Sequence, residues 1–397
     1  MHLGSAFRIT SLAGTAAAVV VALTVYLSDS AVSGIGDAET GPRGLTRTEP
    51  RISVNLNGGQ ARAGRPVRVT VTEGTLRRVT VTDSKGAKLR GTLSAKGTSW
   101  TSARNAAPGT SYTVVAQGSG HGTATAHFTT AAPRRVNKLT MTPGDRATVG
   151  IAQPLSIVFD HPVRDKAEVE EHLRLTTSNN TVGSWGWMRD RSGRDRVDWR
   201  PMRYWSAGTK VTLRAELNGI DSGPAGGWFV RDYTTAFTVG SSQVVKVDLD
   251  DHRLTLLRDG IDVGHVPVSG GTPGGEKASW RGRMVLLAKE GTIRMRSSTV
   301  GLGDAYDRTV HYSMRLTWSG MYAHAAPWNR PYFGRANRSS GCVGMSDADA
   351  RWLYGHVRVG DPFEVRGRDT KGTQAPNNGF GVWNLSWSAW RARSALS

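Results

Sequence analysis

The sequence predicts a mainly β protein made of two or three compact units, and three observations carry that reading. At 397 residues the chain is longer than one ordinary domain. Val and Thr recur in short alternating runs, the period of a half-buried strand, whereas long 3.6-residue periodicities are scarce. Glycine is abundant at 48 residues, which supplies the turns that many short strands need.

Taken in order, residues 1–30 read as an export segment, because Arg8 precedes an apolar run over residues 12–27. The run is slightly short for a spanning helix and no convincing small-x-small cleavage site follows it, so an uncleaved signal-anchor, holding the chain to the membrane, is the alternative to a signal peptide. Residues 31–50 are polar, Gly-rich and linker-like. Over 51–131 the strand-length pieces starting at Ile52, Val67, Arg78 and Tyr112, separated by Gly and Pro-Gly turns, predict a small β-sandwich. His121 and His127 sit in it among Gly and Thr with no acid partner and read as surface residues.

A second set of strand-length pieces occupies 137–240, with one short helix expected over 165–173. Trp185 and Trp187 alternate on one strand face there; core packing is the first reading, stacking on sugar rings the second. The third unit, 243–367, opens with a hairpin formed by Gln243-Val-Val-Lys-Val-Asp-Leu and Leu254-Thr-Leu-Leu. Further strands are expected at His265, Arg283, Val310 and Phe363. The clearest helix covers 347–357, with Ser346 as N-cap, Asp349 completing a capping box, and Trp352, Leu353 and Val357 available for an apolar face.

The net charge of +19 points to a polyanionic neighbourhood: nucleic acid, an anionic membrane or an anionic cell wall. Nucleic acid is disfavoured, since the chain has no zinc-finger spacing, no helix-turn-helix pattern and no base-stacking aromatic strand motif. With a single cysteine, Cys342, an exported chain cannot form an internal disulfide. That thiol is therefore either inert and buried or reactive.

Cys342 lies in the small-residue loop Arg338-Ser-Ser-Gly-Cys-Val-Gly-Met-Ser, a few positions before the capped helix. A thiol near a helix N-terminus in a basic protein is expected to have a lowered pKa, and the amides around Gly341 to form an oxyanion hole. His324, in Tyr322-Ala-His-Ala-Ala-Pro-Trp, is the candidate base, with a satisfied core histidine as the equal alternative on these residues alone.

The order His324-Ala-Ala-Pro-Trp, then Ser339-Ser-Gly-Cys-Val-Gly-Met-Ser, then Ala350-Arg-Trp-Leu-Tyr-Gly-His-Val-Arg-Val-Gly-Asp closely resembles the catalytic domain of actinobacterial L,D-transpeptidases. The likeness covers roughly 243–367 and extends to Trp383-Asn-Leu-Ser-Trp, which is similar to their C-terminal tail. The resemblance implies two N-terminal immunoglobulin-like β-sandwiches, 51–131 and 137–240, followed by a mostly-β L,D-transpeptidase catalytic domain with one or two short helices. A tail, 368–397, would pack on that domain.

By the same resemblance Cys342 is the nucleophile that forms a thioester with a donor tetrapeptide stem of peptidoglycan, His324 the base, and an amine of a neighbouring stem the acceptor. The carbonyl of Ala325 orients the histidine, Gly341 and Cys342 supply oxyanion amides, Ser339 and Ser340 line the pocket, and Tyr306 and Met295 belong to a flap over the donor. No metal and no organic cofactor is called for, the thiol would be open to carbapenems, and the setting is extracytoplasmic, at the wall or the outer face of the membrane, among anionic cell-wall polymers. The motif departs from the usual Ser-His-Gly-Cys at Ser340, and Gly344 replaces the usual Asn or Arg. A wall-binding scaffold with little or no turnover is the alternative. A sortase-like enzyme is disfavoured because no arginine stands at the required spacing after Cys342.

Overall fold

The computed structural model describes residues 51–56, 58–119 and 123–397. The export segment and linker expected over 1–50, and His121, lie outside them. Among the described residues no helix is long and apolar enough to cross a membrane. The chain divides into two compact units, the second running from Ala132 to Ser397.

The first unit is a β-sandwich. One sheet has the order Ile52–Val54, Pro66–Val71, Ser99–Asn105, Gly91–Leu93, and the other Gly58–Ala61, Thr123–Thr130, Ser111–Gly118, Leu76–Asp83, Lys88–Leu89. Alternation builds it: Val67, Val69 and Val71 face inward from one strand and meet Trp100, Val114 and Phe128. His127 is exposed, with Nδ1 3.1 Å from the Thr113 hydroxyl.

The second unit contains a second sandwich, with sheets Leu139–Thr142, Leu155–Phe159, Asp195–Pro201, Gly183–Arg189 and Ala147–Val149, Tyr233–Val239, Lys210–Ala215, Leu173–Thr177. The expected helix is present as Lys166–Glu171. Trp185 and Trp187 are buried in this core, where Trp187 stacks on Phe159 at 5.6 Å and its indole N–H donates to Glu170 at 2.7 Å. Neither ring is open to a sugar, so the core reading holds.

The rest of the unit is two sheets packed across one apolar core. The five-stranded sheet has the order Ile261–Pro267, Arg253–Arg258, Gln243–Asp248, Pro362–Arg366, Gly282–Val285. The four-stranded sheet has the order Ala288–Arg296, Asp307–Arg315, Tyr322–Ala325, Val343–Met345. The expected helix spans Asp347–His356; Ser346 caps it, its hydroxyl accepting the Asp349 N–H at 3.1 Å.

The tail does more than pack on the catalytic sheets. The Trp383 indole donates to the Ala152 carbonyl at 2.8 Å, Trp390 fills the space over Gly186, and the Trp187 N–H donates to the Arg393 carbonyl at 2.9 Å. Gly150 and Ala152 add backbone bonds of 2.8 and 2.9 Å to the carbonyls of Val359 and Gly360. The tail thus lies against the second sandwich as well as the catalytic domain, and joins them in one body through a shared cluster that includes Met188, Val285, Val382 and Trp390. The contact with the second sandwich goes beyond the expected one with the catalytic domain, because tryptophans carry no strand or helix period that would reveal which surface they cover.

Candidate active site

His324 sits on Tyr322–Ala325, a strand buried along its length between an antiparallel neighbour (Met314 opposite Ala323) and a parallel one (His324 opposite Gly344). Its Nδ1 lies 2.7 Å from the Ala325 carbonyl, which places the ring proton on Nδ1 and leaves Nε2 as the free acceptor. Burial holds the imidazole below its usual pKa, so it is neutral at pH 7. Trp328 flanks the ring at 6.0 Å, with the Arg308 guanidinium 4.8 Å from the indole.

Cys342 immediately precedes Val343–Met345, the strand paired with that of His324. With Gly344 opposite His324, the pleat continued back by two residues brings Cys342 to the same side of the sheet. The residue is 8% exposed, and its sulfur lies 3.7 Å from the Gly320 carbonyl. Burial pushes the thiol up to about 11, and the backbone N–H of Tyr322 pulls the other way without prevailing.

The acidified thiol expected from the sequence is therefore not present in this state. Nearness in sequence to the helix misled: the extended Val343–Met345 stretch intervenes, roughly 10 Å at about 3.3 Å per residue. A helix dipole acts only over its first turn.

Gly341 has φ +116°, a conformation that side chains resist, so the turn into Cys342 needs glycine. Its carbonyl accepts from the buried Ser279 hydroxyl at 2.8 Å. Its N–H, expected to be an oxyanion donor, is taken by the Ser339 hydroxyl at 3.2 Å. That hydroxyl in turn donates to the Cys342 carbonyl at 2.6 Å, so Ser339 clamps the loop. Ser340 is half-buried and makes no hydrogen bond to the described residues. Gly344 replaces a larger residue for a steric reason: a Cβ there would come within 2.9 Å of the Ala326 methyl.

The flap is the hairpin of Ala288–Arg296 and Asp307–Arg315, with Ser297–Val300 at its tip. The buried Ser297 hydroxyl donates to the Gly303 carbonyl at 2.6 Å and accepts the Tyr306 N–H at 3.0 Å. Tyr306 is pushed up to about 12, first by burial and then by the charge of Cys342, which puts its phenol within electrostatic reach of the sulfur. Met295 is half-buried opposite Arg308, on the His324 side through the Arg308–Trp328 contact. The flap tip closes down through Val300, which a Cβ on Gly320 would strike.

Ser339, Ser340 and Gly341 thus share the loop of Cys342; His324 and Ala325 stand on the strand paired with the one that follows it, and Tyr306 lies within electrostatic reach of the sulfur, with Met295 further along the flap. Sequence reading missed two residues. Ser279 and Gly320 hold the loop and the sulfur from positions 63 and 22 residues before Cys342, with no motif to mark them.

Comparison with known proteins bears on the same region. The family described as the L,D-transpeptidase catalytic domain matches residues 242–365, and the bacterial Ig domain family matches residues 59–221. L,D-transpeptidase 2 of Mycobacterium tuberculosis (strain CDC 1551 / Oshkosh) is 31% identical over 357 residues, covering 87% of this chain and 85% of that protein. L,D-transpeptidase 5 of M. tuberculosis (strain ATCC 25618 / H37Rv) is 32% identical over 336 residues, covering 83% of this chain and 73% of that protein. Among solved structures, an LD transpeptidase in complex with imipenem is 32% identical with a TM-score of 0.50, covering 58% of this chain and 100% of that one.

Proposed function

The chain belongs to the L,D-transpeptidase family, and on that premise we propose that it cross-links peptidoglycan stem peptides by acyl transfer through Cys342. The observation that carries this reading is the neutral pair: a protonated thiol and an imidazole whose tautomer is set by the Ala325 carbonyl, presented from adjacent strands. Nε2 is then the atom free to take the thiol proton.

In the proposed reaction the Cys342 proton passes to Nε2 of His324 as the sulfur attacks the carbonyl before the terminal D-residue of a donor tetrapeptide. The C–N bond breaks, the leaving amine takes the proton from His324, and a thioester remains. An acceptor amine then gives its proton to His324 while attacking the thioester, and the sulfur leaves and is reprotonated. The amide of Cys342 supplies an oxyanion contact. That of Gly341 joins it once the long 3.2 Å bond to Ser339 yields to a stronger, charged acceptor. Tyr306 and Met295 cover the donor from the flap, and Ser340 faces it with a free hydroxyl. The activity places the chain outside the cytoplasmic membrane, among anionic wall polymers, with residues 1–30 as export signal or membrane anchor.

Imipenem is the direct probe. Incubated with the chain it should add once to the intact mass, and Cys342→Ala should abolish the adduct. A single adduct that survives the substitution would refute the nucleophile, and an unreactive wild-type thiol would leave only the wall-binding scaffold.

A further inference from the structure

On the side of the catalytic domain formed by the edge strand Gly282–Val285 and the C-terminal tail lies an open pocket with a volume of about 530 Å³. Its lining includes Arg281, Arg283, Arg366, Trp383 and Asn384, and contains no carboxylate. The chain path gathers the charge: Gly282 pairs with Val365 and Arg283 with Glu364, while Arg281 bridges Thr373, and Arg281, Arg283 and Arg366 all come to the pocket lining. Like charges gathered on one lining are unfavourable unless something offsets them.

Arg366 has an offset, since its Nε donates to Asp248 at 2.7 Å. Arg281 and Arg283 have no ion pair among the described residues, and Glu364 is engaged by the Tyr204 hydroxyl at 3.1 Å. Behind the pocket wall, Arg200 is buried with its guanidinium 4.9 Å from the Trp383 ring; burial and then the Arg283 charge pull it down to about 10. The backbone under the two arginines is fixed. Asn384 accepts the Arg283 N–H at 2.7 Å, and Gly282, at φ +114°, lets the strand press against that side chain.

We propose that this pocket binds phosphodiester groups of an anionic wall polymer, with Arg281 and Arg283 as the ligating residues. The inference rests on the extracytoplasmic setting proposed above. Guanidinium forks match phosphate oxygens bidentately. Two of them, presented two residues apart on one lining, address successive charges of a repeating polymer, where one carboxylate would be satisfied by a single fork.

The test measures binding of a fluorescent poly(glycerol phosphate) oligomer to the full chain by anisotropy. Arg281→Gln/Arg283→Gln should weaken it at least tenfold, and a control with the same charge loss on the first sandwich, Arg77→Gln/Arg78→Gln, should stay within twofold. Arg281→Gln alone, at an exposed side chain, should give a partial loss and guards against misfolding of the double variant. An equal loss in the control, equal competition by polyglutamate of matched charge, or binding only to phosphatidylglycerol vesicles would each overturn the proposal. Imipenem acylation should be unchanged in every variant. Its failure in the wild type would refute the proposed catalysis while leaving the binding result standing.

Discussion

Residues 339–345 are held along their length by partners distant in sequence, whereas the tip of the hairpin that covers them is held by bonds within the hairpin itself. Ser269 exchanges two 2.9 Å backbone bonds with Gly344, Gly270 accepts from Ser339 and Thr272 donates to Ser339, each at 2.9 Å, and Ser279 fixes the Gly341 carbonyl. In the flap, Ala288–Arg296 is half-buried to exposed throughout, and its tip is tied to itself: the Ser297 hydroxyl bonds Tyr306 and Gly303, the Ser297 N–H donates to the Tyr306 carbonyl at 3.0 Å, and the exposed Arg294 pairs with Asp307 at 2.7 Å. The difference separates two tasks. Under the proposed mechanism a nucleophile and its base must hold a reacting distance, which misplacement by an ångström ruins, and a cover over a stem peptide must open and fit.

The comparison predicts where each substitution should register. Ser279→Ala removes the buried donor to Gly341, a loss of about 1–3 kcal/mol. If the loop's fixity serves the chemical step, the acylation rate constant with imipenem should fall about 10- to 100-fold with little change in the concentration for half-saturation. A purely weaker affinity would mean that the loop is as adaptable as the flap.

Burial of the fixed thiol gives the next largest effect, in pH dependence. With Cys342 raised to about 11 and His324 below its usual range, both are in the reactive neutral form across neutral and mildly alkaline pH. Acylation should therefore be level there and decline on the acid side only below about 6.5, as His324 gains a proton, by about tenfold per unit at the limit. A rate that climbs about tenfold per unit up to pH 10 would mean that preformed thiolate reacts without the base.

Ser297→Ala acts on the other half of the comparison. Freeing the flap tip should raise KM for a disaccharide-tetrapeptide donor about 3- to 10-fold while kcat changes less than twofold, since the bonds lost are about 1 kcal/mol each and far from the reacting atoms. A fall in kcat of the size expected for Ser279→Ala would show that the flap also positions the chemistry.

The same contrast explains what the sequence disclosed. Pro66–Val71, Lys210–Ala215 and Gln243–Asp248 bury one face, so their alternation is plain, and the Ser346-capped helix carries its own start signal. Ala288–Arg296 buries neither face fully and was invisible as a strand; only the family resemblance marked Met295 and Tyr306. Cys342 and His324 were legible as a motif. Their protonation state was not, because it depends on how deeply the fold buries both groups and on an extended stretch that keeps the helix away. Ser279 became a site residue only through a fold that brings it 2.8 Å from Gly341.

The smallest effect is expected where the family motif is broken. Ser340 is on the loop, but no neighbour uses its hydroxyl, so nothing in the fixed framework depends on it; Gly344, by contrast, is pressed against Ala326 and cannot regain a side chain without a shift. Ser340→His restores the motif's imidazole at this half-buried position. With Cys342 and His324 unchanged, cross-linking of disaccharide-tetrapeptide, followed by muropeptide analysis, should stay within about threefold of wild type, since a single solvent-reaching contact contributes below about 1 kcal/mol. A gain of more than about tenfold would place Ser340 among the determinants of which stem is accepted, and the pocket wall would then belong with the adaptable flap and not with the fixed loop.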